Sequence, residues 1–210
     1  MKNFLLIDDH EIVRSGVKNV LQQLFRPCTI FEAGDEKSAL AILKQRSYDI
    51  IILDVQMPGT DSLGLMEHIK ITYPDTKVLV FSMSAESIYA KRFLAAGAMG
   101  FVSKSTGLAE LHKAIEVVLN NRKYISPELA NQLATEIGGN QTINPFHKLS
   151  VKEFEVCTRL ITGKSVTDIS QILNISTSTV GTHKARIFEK LNVKNLVELF
   201  EIAKEYNVLG

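Results

Sequence analysis

The sequence predicts an α/β domain, a doubly wound parallel sheet of five strand–helix units, followed by a smaller all-α domain. Three observations carry that expectation. Short β-rich apolar runs recur about every 25 residues in the first half, each followed by a helix-length amphipathic stretch. Carboxylates stand immediately after the first and third of these runs. Beyond residue 148 the strand pattern stops and helix signals follow, two of them joined by a tight turn.

The strand runs are Asn3–Ile7, Thr29–Ala33, Ile50–Leu53, Lys77–Phe81 and Gly100–Ser103. The first helix carries Ile12-Val13, Val17, Val20-Leu21 and Leu24 as its apolar side, and the fourth Ile88-Tyr89 and Phe93-Leu94. Turn residues fall in the gaps, at Pro58-Gly59, Tyr73-Pro74-Asp75 and Ala96-Gly97-Ala98. Strands alternating with helices at this spacing imply a sheet covered on both faces.

Composition bounds the function. The 210 residues suffice for two small domains, and 45% apolar with 22% charged residues is ordinary for a soluble globular chain. No apolar run reaches the ~18 residues that cross a bilayer. The opening apolar stretch meets Asp8-Asp9 too early for a secretion signal, so a cytoplasmic protein is expected. Cys28 and Cys157 stand in no metal-ligand spacing and read as core residues in a reducing compartment. A net charge of +1 says nothing of a nucleic-acid partner, but between residues 148 and 194 eight bases oppose four acids, a modest basic patch.

The carboxylates say more. Ligands of an open parallel sheet collect beyond the carboxyl ends of its strands. Asp8 and Asp9 follow strand one and Asp54 follows strand three, which are neighbours in a doubly wound sheet. Three like charges in one crevice need a cation, and Mg2+ suits an all-oxygen set of carboxylates, a carbonyl and waters. Strand four ends at Ser82 and strand five at Phe101-Val102-Ser103-Lys104, which adds a hydroxyl and an ammonium at the same rim. A nucleophilic carboxylate beside a cation and a lysine has the parts needed to accept a phosphoryl group. Singly, each residue has a plainer role: Asp9 as a cap of the helix opening at Glu11, Ser82 as a loop serine, Phe101 as core, Lys104 as a solvated base.

The residues Asp8-Asp9-His10, Asp54-Val55-Gln56-Met57-Pro58-Gly59, Ser82 and Gly97-Ala98-Met99-Gly100-Phe101-Val102-Ser103-Lys104 resemble the receiver domain of bacterial response regulators, over residues 1–125. The resemblance implies a flavodoxin-like fold with Asp54 as phospho-acceptor. It implies Asp9 as a direct Mg2+ ligand, Asp8 acting largely through water, and Gln56 coordinating through its backbone carbonyl. Ser82 matches the switch hydroxyl, Lys104 the phosphoryl-binding lysine and Phe101 the switch aromatic. Ser62 and Gly64 stand where similar sequences often carry Gly and an acid, and Ser105 stands where they carry Pro; none of these touches the acid cluster. A phosphohydrolase reading meets an objection, since Gln56 and not a second acid stands two residues after Asp54; the chain is not expected to be an enzyme.

Residues 126–147 read as a linker with a short helix. Ser126-Pro127-Glu128 supplies an N-cap, a first-turn proline and an acid, Leu129, Leu133 and Ile137 form one stripe, and Gly138 to Thr142 is a flexible tether. The last domain, 148–210, opens with a capping box at Ser150-Val151-Lys152-Glu153 and a helix ended by Gly163. A second helix is capped at Ser165, and a third runs from Ser176 or Thr177 to Leu191. A last helix spans Leu196 to about Tyr206, with Leu196, Leu199 and Ala203 as either core or a dimer surface.

On the third helix Val180, Ile187 and Leu191 must face the core, which leaves small residues flanked by bases on the other side. Gly181 costs a helix about 1 kcal/mol relative to Ala, so something other than helix stability favours it. Small residues there suit approach to a groove floor, with Lys184, Arg186 and Lys190 or Lys194 on phosphates. His183 fits a packed core histidine as well as a DNA contact.

The phrase Thr179 to Val193, after Leu149 to Glu153 and Asp168 to Leu173, resembles the LuxR-type four-helix DNA-binding domain, and the whole chain resembles a NarL/FixJ-type response regulator. That resemblance implies a sensor histidine kinase as phosphodonor, double-stranded DNA as target, and a homodimer at least when phosphorylated. It puts Thr179, Gly181, Thr182, His183, Lys184, Ala185, Arg186 and Lys190 on the DNA side, with Thr182 and Ala185 at positions that reach bases. The alternative within the same family is a regulator independent of phosphorylation, with the first domain serving only to dimerise.

Overall fold

The computed structural model describes residues 1–58, 60–83, 86–137, 144–206 and 208. Contacts divide the chain into two compact units, Met1–Ile137 and Gly138–Gly210.

In the first unit the strands β1 (Lys2–Ile7), β2 (Cys28–Ala33), β3 (Ile50–Leu53), β4 (Lys77–Ser82) and β5 (Gly100–Ser103) form one sheet, ordered β2-β1-β3-β4-β5 and parallel throughout. Each lies within a residue of the run that predicts it. The helices α1 (Glu11–Leu24), α2 (Glu36–Leu43), α3 (Ser62–Thr72), α4 (Glu86–Ala95) and α5 (Leu108–Leu119) connect them. Every residue of β3 is buried, as expected of a central strand covered on both faces. Side chains alternate across the sheet. Phe4, Leu6, Ile50, Ile52, Leu79, Phe81 and Val102 pack with Val17 and Leu21 of α1 and with Leu111, Ala114, Ile115 and Val118 of α5.

The apolar side of α1 is narrower than the sequence suggests. Its buried stripe is Val17 and Leu21 with Val13 against the same cluster, whereas Ile12 is 88% exposed and Leu24 also faces out. The stripe follows i, i+4 spacing, and Ile12 falls about 100° around the helix from Val13.

A sixth helix, α6 (Pro127–Ile137), packs against α4 and therefore belongs to the first unit. Ser126 Oγ accepts from Leu129 N at 3.1 Å, the cap expected there, and Leu129 is buried. Tyr124 ties the approach to α6 onto the sheet by bridging to Gly100 and donating its N–H to Met99 O at 2.8 Å. The expected tether from Gly138 to Thr142 lies outside the described residues.

The second unit holds α7 (Val151–Ile161), α8 (Val166–Leu173), α9 (Thr177–Leu191) and α10 (Leu196–Glu205) after a 3-10 turn at Pro145–Lys148. Capping boxes at Ser150/Glu153 and Ser165/Asp168 start α7 and α8, and Ser176 caps α9. Asn174 and Asn192 end α8 and α9 in the left-handed conformation, which asparagine tolerates. Val180, Ile187 and Leu191 are buried as their spacing requires. Of the ambiguous trio on α10, Leu199 and Ala203 are core and Leu196 is exposed.

Gly100 has no room for a side chain. A Cβ there would meet Tyr124 Cβ at 2.9 Å, and Leu79 Cδ1 and Tyr124 O each at 3.0 Å. Gly100→Ala is therefore expected to destabilise the first unit by about 1–3 kcal/mol in urea titrations. Gly16→Ala is the control: it sits within α1 with nothing within 4 Å and should stabilise by about 1 kcal/mol.

Candidate functional site

The sheet register builds the site. Ile7 of β1 pairs with Leu53 of β3, so the next residues, Asp8 and Asp54, leave the sheet side by side. The ladder runs one step further, with Asp54 N donating to Ile7 O at 2.8 Å and Asp8 N to Ala33 O at 3.1 Å. Ser82 ends β4 beside Ser103 of β5, and Lys104 follows.

Asp54 is 2% exposed and held by three donors. Ser82 Oγ (2.6 Å) and Gln56 N (3.0 Å) donate to Oδ1, and Lys104 Nζ (2.7 Å) to Oδ2. The same ammonium lies 2.6 Å from Asp8 Oδ2, and Asp8 Oδ1 accepts from His10 N at 2.8 Å. Burial works against the Lys104 charge, but its hydrogen bonds to Asp54 and Asp8 and their charges outweigh it. Its pKa therefore lies above the usual lysine value. Phe101, beside Val80 in β5, is fully buried and lines a cavity of about 300 Å³ with Tyr124, Ser126 and Pro127.

Asp9 does not cap α1. The cap position is His10, whose side chain makes no capping bond. Asp9 instead turns toward the other acids, and one oxygen from each of Asp8, Asp9 and Asp54 plus a ring nitrogen of His10 all fall within 4.8 Å of one another. Asp9 Oδ1 is a buried acceptor without a hydrogen bond. Three carboxylates against one ammonium leave a formal charge of −2, so the residues fit a divalent cation with oxygen ligands.

On α9, Thr179, Gly181, Thr182, Ala185, Arg186 and Lys190 are exposed, and His183 and Lys184 half-buried. A Cβ on Gly181 would meet nothing within 4 Å, so no contact inside the chain demands glycine there. Thr182 Oγ1 bonds back to Ser178 O at 3.1 Å, and Lys184 Nζ lies 5.5 Å from the centre of the Phe188 ring. Lys190 is engaged internally, its Nζ 2.6 Å from Oε2 of the buried Glu153. Burial, then the nearby Arg186 and Lys152, hold the His183 pKa below the usual value against the opposing pull of Glu153, and its buried Nδ1 has no partner.

Residues 4–116 match the family described as response regulator receiver domain, and residues 147–203 match bacterial regulatory proteins of the luxR family. The chain is a response regulator. This response regulator is 33% identical over 210 residues to response regulator GacA of Pseudomonas viridiflava, covering 100% of this chain and 98% of that one. It is 32% identical over 204 residues to response regulator UvrY of Escherichia coli K12, covering 97% and 94%. Among solved structures it is similar to RcsB from Salmonella enterica serovar Typhimurium bound to promoter rprA with the phosphomimetic BeF3-. There the TM-score is 0.67 at 26% identity, over 97% of this chain and 98% of that one. These relatives are regulators, not enzymes, and the phosphohydrolase alternative falls with them. No described helix is long and apolar enough to cross a membrane.

The structure thus gathers Asp8, Asp9, Asp54, Gln56, Ser82 and Lys104 of this regulator at one sheet edge, with Phe101 beneath the surface. The sequence left two participants unassigned. His10 stands within the quoted acidic phrase but carried no role of its own. Arg14 gives no local signal; it donates to Asp8 O at 2.6 Å and pairs with Glu32 at 3.4 Å.

Removing the shared ammonium leaves two buried carboxylates face to face. Lys104→Met is expected to lower unfolding free energy in metal-free buffer at pH 7 by about 3–5 kcal/mol, measured by urea denaturation. Millimolar divalent cation should restore part of it.

Proposed function

We propose that Asp54 accepts a phosphoryl group from a partner histidine kinase and that the acyl phosphate controls DNA binding by residues 148–210. One observation carries this reading: the Asp54 carboxylate, at the end of a central strand, is bracketed by a hydroxyl and an ammonium beside two further acids. An Asp54 oxygen attacks phosphorus, the new O–P bond forms as the N–P bond of a phosphohistidine breaks, and the imidazole leaves with the electron pair and takes up a proton. Asp8, Asp9, Asp54 and the Gln56 carbonyl would hold Mg2+, which supplies positive charge to the phosphoryl oxygens. Lys104 exchanges its carboxylate partners for a phosphoryl oxygen, and Ser82 donates to another.

Ser82 now bonds Asp54 directly, so its move toward the phosphoryl group vacates space near Phe101 and biases the receiver between two arrangements. The readout is a homodimer whose α9 helices enter the major groove of double-stranded DNA at two half-sites. Solved structures of the relative RcsB, bound to promoters and as two dimers on two DNAs, support that reading. Thr179, Gly181, Thr182 and Ala185 form the close-approach face, with Lys184 and Arg186 on phosphates. Lys190 reaches DNA only by leaving Glu153, and His183, half-buried with a depressed pKa, contributes packing at the edge of the contact rather than charge. The protein acts in the cytoplasm.

Treatment with acetyl phosphate and Mg2+ should add one phosphoryl group to the wild type and none to Asp54→Asn, as read by intact mass. Affinity for a target fragment should then rise about 5- to 150-fold, the usual range of allosteric coupling. Equal affinity of treated wild type and Asp54→Asn would instead favour a regulator independent of phosphorylation. Lys184→Ala should weaken binding to all sequences alike and flatten the dependence of log affinity on log salt by about one unit. A loss confined to one base position contradicts a phosphate contact.

A further inference from the structure

His10 faces the acid cluster with its ring nitrogen. Nδ1 lies 2.9 Å from Asp9 Oδ1 and 3.4 Å from Asp8 Oδ1. Neighbouring ligands on an octahedral ion with bonds of about 2.1 Å stand about 3.0 Å apart, and opposite ones about 4.2 Å apart. The first two distances are close to neighbouring positions, and the 4.8 Å spread of the four groups needs only a few tenths of an ångström of closure. Asp9 Oδ1 accepts no hydrogen bond although Nδ1 is so near. Two electron-rich atoms that close, with no proton in line between them, are placed for a cation. The ring is held there by its backbone, since His10 N is fixed on Asp8 Oδ1 and His10 opens α1 in an extended conformation.

We propose that His10 Nδ1 is a further ligand of this cation site and sets its ion preference, an inference that rests on reading the acid cluster as a cation site. Imidazole nitrogen adds little for Mg2+, which prefers oxygen and keeps its waters. It adds much for borderline first-row ions, whose affinity for nitrogen-containing sites climbs from Mn2+ to Ni2+. A site of three carboxylates and one imidazole therefore takes such an ion more tightly than Mg2+ and spares it one bound water. The ring is largely exposed at the rim, so it can complete the coordination without disturbing Asp54, Ser82 or Lys104.

The test is isothermal titration calorimetry of the full chain with Mg2+, Mn2+ and Ni2+, for wild type, His10→Ala and His10→Gln, with urea midpoints confirming that each is folded. The remaining histidines (His68, His112, His147 and His183) are common to all three proteins, so any background they add is shared. The expected result is a loss of at least about tenfold in Ni2+ affinity in both variants, a smaller loss for Mn2+, and Mg2+ affinity within about twofold of wild type. An unchanged Ni2+ to Mg2+ ratio, with Mg2+ still binding and still lost in Asp54→Asn, overturns the role of His10 and leaves the phosphoryl-acceptor reading standing. If the wild type binds no Mg2+ at millimolar concentration, both readings fall together.

Discussion

Two almost wholly buried carboxylates, Asp8 and Asp54, share one ammonium, and the rest of the molecule is arranged so that they can. Burying an ion pair is costly unless geometry is good and the spare lone pairs are satisfied. Here both conditions come from the sheet. Parallel order places β1 beside β3, so the two acids leave adjacent strand ends, and β5, two strands away, returns Lys104 over them. Backbone N–H groups of His10 and Gln56 and the Ser82 hydroxyl take the remaining lone pairs. The arrangement is tight without being neutral, because Asp9 adds a third negative charge. A pocket that keeps a formal −2 when its own lysine is already in place is built for exchange: cation in, phosphoryl oxygens onto the lysine, hydroxyl released from the acceptor.

That exchange has a stiff route outward. Phe101 lies one residue from Gly100, and Gly100 has no side chain because Tyr124 packs directly on it. Tyr124 is further anchored through its hydroxyl to Glu110 of α5; burial first, then this carboxylate, push the phenol pKa up, so the hydroxyl stays a donor. Two residues on, Ser126 caps α6, which packs on α4. A displacement of β5 is thus delivered to a helix that leads toward the second unit, because close-packed elements transmit shifts rather than absorb them.

The strand ends were legible because a parallel sheet writes its site at fixed places: an apolar run stops and the next residue is exposed to the crevice. Asp8, Asp54, Ser82 and Lys104 all obey that rule. What stayed hidden depends on contacts between distant residues. Ile12 looked like core because periodicity within one helix cannot choose between adjacent apolar residues; packing of α5 on the Val13, Val17 and Leu21 side does. The grouping of α6 with the first unit rests on its packing against α4, which the sequence of α6 alone does not reveal. His10 gave no signal, since a histidine at a helix start reads equally as surface. Lys190 looked free for phosphate because its partner, Glu153, lies 37 positions earlier and already had a local role in a capping box.

The second unit shows why that capping matters. Its exposed α9 face is built from residues that do little for a helix: Gly181, Thr179, Thr182 and the serines before them are poor helix formers. The helix is fixed elsewhere, by Ser176 at its start, Asn192 at its end, and the Val180, Ile187 and Leu191 stripe within. Glu153 then binds it to α7 twice over, closing the α7 capping box and holding Lys190, while the opposing effects of burial and of this ammonium leave its carboxyl below the usual range. Stability that would ordinarily come from the side chains of α9 has been moved to its ends and its inner side. Its outer surface is thereby free to be small and close-fitting, which is what a surface meant to lie against a groove floor requires.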